Sequence, residues 1–563
     1  FNKLPGELTP TEGATLVGML KGTSLYNPHN HPEKARHRRN IVLSQMARYG
    51  YLKPEDAEKM SQSAMETDYT PIDHNSGLAP YLREHLRPRL EEWCKNHTGP
   101  DGEPYNLYTD GLKVYTTIDA DLQRYAEAAV EKHLPWLQQQ MHRQQKSNKD
   151  STLKSLTRKI LARIPAYQGE SLDDPNSIIH QEKQMDIFTW DGRKSVKMSP
   201  VDSIKHHISL LHAGFVAMDP TNGNILAWLG GIDHRFFKYD HVTSKRQVGS
   251  TFKPIVYANA LKSGIEPCDY YPNDSIVYKD YDNWSPANAD RQYGGVYSVQ
   301  GALVNSVNTV SVQLIMEGGI DSVITLAGSM GIEGRYPRVP SLALGTMNAS
   351  VLNMAEAYST FASGGRPRDS RILYKIEDPN GRVIENFLND TIQEERVLSR
   401  KVCEQVTMMM QGVVKRGTAR SLKRNFRFDG DIAGKTGTTQ DQADGWFVGF
   451  NPNLVVAGWV GAEYPAIHFD DLTYGQGAAT ALPLAGHFLH QLQQEHPGTK
   501  YLTNFNYRTI DTASYHCMDY RDKAPGVLEK LFDVFEKKKD QQKKEKNFFE
   551  RLFDKLRKDK KQQ

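Results

Sequence analysis

Two strand-turn-strand textures, about 200 residues apart, constrain the fold more than anything else in these 563 residues. Ala213 to Met218, the turn residues Asp219-Pro220-Thr221-Asn222-Gly223, and Ile225 to Leu229 read as a hairpin. Near 431–461 three more strands follow each other with short turns, the last at Asn451-Pro452-Asn453. The stretch between carries mostly helical spacing, and no internal repeat is present. Strands at both ends and helices between predict an α+β domain with one antiparallel sheet, assembled from distant parts of the chain.

Upstream the texture differs. Residues 1–65 are helical in pattern: Thr9-Pro10-Thr11-Glu12 is a cap with Pro at the first helical position, leading into Ala14, Leu16, Val17 and Leu20. After Tyr26-Asn27-Pro28, a second helix sets Arg36, Arg38 and Arg39 on one side and Ile41, Val42 and Met46 on the other. The plainest reading of those arginines is a solvated face. Residues 66–210 are mixed. Leu112 to Thr117 alternates like a strand, and Asp119 caps a helix through Leu122, Tyr125, Ala129 and Val130. The Gln- and Lys-rich run 138–160 is expected to be an exposed insertion. Phe188-Thr189-Trp190-Asp191-Gly192 reads as a hairpin turn, and Ser199-Pro200-Val201-Asp202 as a helix start. The organisation expected is thus 1–65, a 66–210 linker region, a 211–500 domain and a 501–563 extension.

Several classes drop out on composition. Apolar residues at 38% and charged ones at 24% exclude a disordered chain, and 70 basic against 67 acidic residues give no electrostatic case for nucleic acid. Cys94, Cys268, Cys403 and Cys517 form no CxxC pair, which excludes a sequence-readable zinc or redox motif; their spacing leaves any pairing open. No Asp/His metal spacing occurs, so neither metal nor cofactor is expected. The longest apolar run, Leu454 to Ala462, is far short of a membrane span. A chain beginning at Phe1 is expected to have a processed or excised N terminus, so an anchor upstream stays open.

The chemistry lies in three short segments. Gly249-Ser250-Thr251-Phe252-Lys253-Pro254 opens an apolar helix that stops near Gly264, and Lys253, one turn on, is placed to reach the Ser250 hydroxyl. A lysine amine serves as a base only where burial or neighbours lower its pKa. Ser306-Val307-Asn308 offers a hydroxyl for proton shuttling and an amide for holding a carbonyl. Lys435-Thr436-Gly437-Thr438 lies in a strand pattern, where Gly437 permits close backbone approach and an edge strand can pair with an extended peptide. Each piece alone is weak: Ser151 and Lys154 also make Ser-x-x-Lys, in a polar stretch without an apolar helix behind it. The ordered set, helix start then strand, is strong.

With these residues in view, the chain resembles the class A penicillin-binding proteins, which are peptidoglycan synthases. Phe215 to Gly223, Arg246 to Pro254, Leu342-Ala343-Leu344-Gly345 and the stretch from Lys435 to Gly461 carry the likeness. It is dense over roughly 211–490 and clear over 1–55, through Leu8-Thr9 with Glu12, Tyr26-Asn27-Pro28 and Arg38-Arg39-Asn40. The resemblance implies a penicillin-binding, serine β-lactamase-like transpeptidase domain, preceded by the C-terminal remnant of a lysozyme-like glycosyltransferase domain. It implies Ser250 as nucleophile, Lys253 as its base, Ser306 as proton relay and Lys435 as a fixed positive charge. Asn308, Thr436, Gly437 and Thr438 would bind substrate, with oxyanion donors at the Ser250 and Thr438 N–H groups. The implied ligands are peptidoglycan stem peptides and β-lactams, on the outer face of the cytoplasmic membrane. The family's glycosyltransferase glutamates lie upstream of these residues, so glycan polymerisation and the lipid-linked precursor, with any pyrophosphate contact of the arginines, are expected only of the intact protein.

Two alternatives stay open at this stage. A serine β-lactamase would need a water-activating Glu, and Glu385-Asn386-Phe387-Leu388-Asn389 fits E-x-x-L-N, though it follows the turn Asp378-Pro379-Asn380-Gly381 and reads as an exposed strand. A penicillin-recognising sensor or scaffold would keep the site without the transfer. Finally, residues 536–563 carry net charge +6 and an apolar stripe of Phe548, Phe549, Leu552, Phe553 and Leu556. That tail reads as a marginal helix, or as a docking segment for an anionic membrane or a protein partner.

Overall fold

The computed structural model describes residues 1–522 apart from 4, 69–74, 76, 145–149 and 390–394; the basic tail 536–563 lies outside them. The chain divides into two compact units, Phe1–Pro80 and Tyr81–Gln563.

In the first unit, α1 (Pro10–Met19) begins on the capping box expected from Thr9 and Glu12. With α2 (Pro32–Arg48) and α3 (Pro54–Gln62) it encloses a small core of Ala14, Val42 and Leu43. The arginines of α2 do not form one solvated face. Arg36 is exposed and paired with Glu33 at 2.9 Å, but Arg39 is wholly buried. Its guanidinium donates to the carbonyls of Ser61 and Ser63, at 3.1 and 3.0 Å, which are among the orphan acceptors where α3 ends. Arg39 is therefore a structural cap within this unit.

The second unit is built on a five-stranded antiparallel sheet in the order β12-β13-β14-β4-β5: β12 (Ala433–Thr438), β13 (Asp444–Asn451), β14 (Leu454–Ala462), β4 (Leu211–Met218) and β5 (Ile225–Leu229). Its three central strands are buried along their whole length, which explains their near-continuous apolar sequence. Register places Phe450, Val455 and Met218 on one face and Phe447, Gly458 and Phe215 on the other. The first face meets α12 (Val351–Ala362) through Tyr358 and Phe361 against Phe450. The second meets α16 (Leu482–Glu495) through Phe488 against Phe215.

The run expected as an exposed insertion is partly core. Helix α5 (Ala120–Gln144) continues through it, and Gln138 and Met141 are buried. Gln138 donates to Ser209 O (2.9 Å) and accepts from Leu211 N–H (2.7 Å); Gln123 does the same for Trp228, at 3.0 and 2.7 Å. A glutamine amide carries the donor and acceptor of a peptide group, so Gln123 satisfies the open edge of β5 at Trp228 and Gln138 the backbone entering β4. The polarity of Gln138 thus serves backbone groups, not solvent.

The remaining elements brace this core. Helix α4 (Pro80–Asn96) precedes β1 (Lys113–Thr116), which joins β10 (Leu373–Glu377) and β11 (Val383–Asn386) in a second sheet. The hairpin β2 (Lys183–Thr189) and β3 (Gly192–Met198), turning at Trp190-Asp191, lies between α6 (Asp150–Leu161) and α7 (Pro200–Ile208). Ser199 caps α7 as its sequence predicts. Helices α8 (Lys253–Lys262), α9 (Val299–Val304), α10 (Asn308–Gly318), α11 (Ile320–Ser329) and α13 (Arg400–Lys415) form the helical part; the short α14 (Ser421–Phe426) and α15 (Leu472–Gly475) flank β12 and α16 in sequence. A third sheet, β15-β8-β7, unites Tyr520–Arg521, Val296–Ser298 and Tyr270–Pro272, and β6 (Arg246–Gln247) pairs β9 (Asn348–Ala349). Cys268 and Cys517, whose pairing the sequence left open, form a disulfide; Cys94 and Cys403 are buried thiols.

Candidate active site

Ser250 sits in a 3₁₀ turn, Gly249–Phe252, that runs directly into α8, so it lies half-buried at the N-terminal end of a helix. Three neighbours fix that turn. Gly249 N–H donates to Gly345 O (3.1 Å), Val248 N–H to Met347 O (3.2 Å), and the Tyr358 hydroxyl to Thr251 O (2.7 Å). On its other side the turn presses on β12. A Cβ on Gly249 would lie 2.8 Å from Thr438 O, and one on Gly437 would lie 2.8 Å from Val248 O. Gly437 is thus required by the nucleophile turn behind it, in addition to any substrate in front.

The three segments singled out in the sequence meet here. Lys253 and Lys435 are both wholly buried. Lys253 Nζ lies 2.6 Å from Ser306 O, 2.7 Å from Asn308 Oδ1 and 3.3 Å from Ser306 Oγ. Lys435 Nζ lies 3.0 Å from Ser306 Oγ and 3.0 Å from Thr436 O. The Ser306 hydroxyl therefore stands between two lysine nitrogens. The hydrogen bond expected from Lys253 to Ser250 is not formed: the amine is drawn to the Ser306 carbonyl and the Asn308 amide. Ser306 pays a conformational penalty for this placement, with φ at +60° for a non-glycine residue. That strain is worth about 1 kcal/mol and turns its carbonyl onto Lys253.

Burial sets the charge states. It pushes the Lys253 ammonium well below the lysine range, with the Lys435 charge adding to the effect. Burial alone brings Lys435 down to about 7. Two cations about one hydroxyl repel, so the pair favours one neutral amine beside one ammonium. Lys253, whose ammonium is disfavoured by burial and by the Lys435 charge and whose N–H groups can go to Ser306 O and Asn308 Oδ1, is the candidate neutral amine.

Asn308 is itself held at both ends, Nδ2 donating to Ala287 O at 2.6 Å. Its backbone N–H and that of Thr309 donate to Asn288 Oδ1, at 2.9 and 3.3 Å. Sequence reading missed Asn288, which is buried, and Thr418, whose hydroxyl lies 2.7 Å from that of Thr436. Neither belongs to a local pattern; each is found only through what it touches. Thr438 Oγ1 accepts from Gly477 N–H at 3.0 Å, leaving its own O–H to donate. Gly345, carried within Leu342 to Gly345, is the remaining support.

Two lookalikes separate cleanly. Lys154 of the second Ser-x-x-Lys is exposed on α6 and paired with Asp173 at 2.7 Å. Glu385 is on β11, 3.3 Å from His97 Nε2, in the β1-β10-β11 sheet. No group of three or more His, Cys, Asp or Glu able to hold a metal occurs among the described residues.

Residues 213–481 match the penicillin binding protein transpeptidase domain, 131–211 the penicillin-binding protein middle domain and 1–47 the transglycosylase family. Fold and site together define a penicillin-binding transpeptidase domain. Penicillin-binding protein 1A of Aquifex aeolicus is 31% identical over 483 residues, covering 82% of this chain and 64% of that protein. Its counterpart in Pseudomonas aeruginosa is 27% identical over 579 residues, covering 86% and 68%. The crystal structure of penicillin-binding protein 1A from Haemophilus influenzae has the same fold, with TM-score 0.63 and 23% identity over 89% of this chain and 82% of that one. The chain carries a transglycosylase segment ahead of a penicillin-binding protein transpeptidase domain and is similar in this to the class A penicillin-binding proteins. It spans somewhat less than two thirds of the Aquifex relative's length.

Proposed function

We propose that this chain is a serine D,D-transpeptidase that cross-links peptidoglycan stem peptides and is acylated by β-lactams. One observation carries the reading: the Ser306 hydroxyl lies 3.0 Å from Lys435 Nζ and 3.3 Å from Lys253 Nζ, both amines being buried. That is a proton path beside a half-buried serine at a helix start.

Ser250 attacks the carbonyl of the penultimate D-alanine, and its proton passes to the Lys253 lone pair. The new oxyanion is held by the N–H groups of Ser250 and Thr438, across the contact that Gly249 and Gly437 permit. Lys253 returns the proton through Ser306 to the departing D-alanine, while the Lys435 ammonium stabilises charge on the Ser306 oxygen. The substrate's terminal carboxylate is met by Lys435, Thr436 and Thr438, and we add Thr418 through its bonded hydroxyl. Asn308 keeps one N–H for the substrate amide and holds Lys253 in line. An amine of a second stem peptide then takes the acyl group and releases Ser250. A β-lactam offers the same carbonyl without a departing group, so its acyl-enzyme persists.

The reaction places this domain on the outer face of the cytoplasmic membrane, where its substrate lies; among the described residues no single helix is long and apolar enough to cross a membrane. Glycan polymerisation from a lipid-linked precursor belongs to the intact protein, and the 536–563 tail is a candidate contact for a membrane or protein partner.

Labelling with fluorescent penicillin tests the assignment. The native chain should take up one label and Ser250→Ala none; equal labelling of both would overturn the site. Many turnovers per second of a chromogenic cephalosporin would make the protein a β-lactamase. Stoichiometric acylation without cross-linking of stem peptides would make it a sensor.

A further inference from the structure

The final described residues form a strap behind the site. Cys517 is joined by its disulfide to Cys268, in the turn that follows α8. Its carbonyl accepts from Gln300 Nε2 at 3.0 Å, and the Met518 carbonyl accepts from the Tyr270 hydroxyl at 2.9 Å. Asp519 O then accepts from Ser298 N–H at 3.1 Å, at the start of α9, and Tyr520–Arg521 continue as β15 on β8. The approach is close: a Cβ on Gly301 would lie 2.2 Å from Asp519 O.

The carboxylate of Asp519 reaches the other way. It takes both arms of the Arg416 guanidinium, at 2.8 and 2.7 Å. Arg416 follows α13 and leads into Gly417-Thr418. Gly417 lies against Val304 O, where a Cβ would approach to 2.3 Å, and Thr418 N–H points at the same carbonyl. Val304 ends α9 two residues before Ser306, and Thr418 bonds Thr436. A single residue thus holds the start of the helix that delivers Ser306 and the end of the helix that delivers Thr418 to β12.

A cavity of about 550 Å³, lined by Met408, Gln411, Tyr507, Cys517 and Asp519 among others, opens beside the strap, and Tyr520 packs on Tyr297 where the strap pairs with β8.

We propose that Asp519 is a positioning residue for acylation, and that the Cys268–Cys517 disulfide sets the strap that carries it. The role rests on the transpeptidase reading above. Loosening the strap lets α9 and Gly417-Thr418 shift against β12, which lengthens the contact between the Ser306 hydroxyl and the two lysines. Displacements of about 1 Å at a reacting group cost up to about a hundredfold in rate.

The test compares the native chain, Asp519→Asn, Asp519→Glu and Cys268→Ser/Cys517→Ser, together with folded native protein whose disulfide is opened by mild dithiothreitol. Acylation by fluorescent penicillin is followed to saturation, across pH, with melting temperature in parallel. Asp519→Asn, the cysteine double variant and the reduced native chain should acylate about tenfold more slowly at saturation, with half-saturating concentration little changed. Their rising pH limb should move upward, since a looser site admits water and restores the ordinary basicity of Lys253. Asp519→Glu, which keeps the charge, should recover part of the rate. Lower melting temperature with native rate and pH profile would overturn the positioning role alone. No labelling of the native chain would overturn the transpeptidase reading, and the strap's role with it.

Discussion

Gly345→Ala isolates the geometry of the nucleophile turn. Gly345 has φ at +74°, and an added Cβ would lie 1.9 Å from Gly249 O and 2.6 Å from Gly249 C. The left-handed backbone alone costs an alanine about 1 kcal/mol. The contact is worse, because carbon and oxygen need about 3 Å, so Gly249 must retreat by roughly 1 Å. It has little room to retreat: a Cβ added to Gly249 would stand only 2.8 Å from Thr438 O, so β12 lies close on that side. The turn must rotate, carrying the N–H and hydroxyl of Ser250 with it. A misplacement of that size predicts a loss of about a hundredfold in acylation. Stopped-flow acylation by a fluorescent penicillin measures it, with near-ultraviolet circular dichroism to establish the fold. Gly381→Ala is the control: φ there is +87° and nothing lies within 4 Å, so it bears the backbone cost without the collision. Its acylation should match the native rate. A folded Gly345→Ala that acylates as fast as Gly381→Ala would refute the claim that this contact aims Ser250.

Four further outcomes are expected. Acylation needs Lys253 neutral and Lys435 charged, so the second-order rate should rise with pH as Lys253 loses its proton and fall as Lys435 loses its own at about 7; Lys435→Arg, which keeps its charge, should abolish the falling limb. Because burial lowers both amines, the unfolded chain binds more protons than the folded one between about pH 7 and the ordinary lysine range, and stability should increase with pH across that window in chemical denaturation. Arg39→Met should expose residues 1–80 to limited proteolysis, at a cost of about 1.5–3 kcal/mol for the charged hydrogen bonds lost to the Ser61 and Ser63 carbonyls, while penicillin labelling stays native. Glu385→Gln should leave release of the bound β-lactam unchanged, as expected of a residue paired with His97 in the β1-β10-β11 sheet, a different sheet from the one that carries Lys435; faster or slower release would reopen the hydrolase reading.

The local code of this chain was largely legible. Caps at Thr9, Asp119 and Ser199, the hairpin at 213–229 and the three strands at 431–461 depend on residues close in sequence, where propensity and turn chemistry act. The candidate catalytic segments were legible for the same reason: each is a few residues long, and their order is written in the chain. What failed was inference from polarity. Gln138 and Arg39 look solvent-bound by type, and both are buried, because each satisfies backbone groups that the fold leaves open.

Sequence alone determined that Ser250, Lys253, Ser306, Asn308 and Lys435 exist, in elements of the right kind. Tertiary structure decided what they do to one another. Only packing brings residues 253, 306 and 435 within 3.3 Å about one hydroxyl, and only burial separates one lysine's charge from the other's. The supports, Gly345, Thr418, Asn288 and Asp519, act through a few contacts across 18 to more than 200 residues of chain. Such contacts leave no periodicity in the sequence, since loop closure over those distances is set by the whole fold.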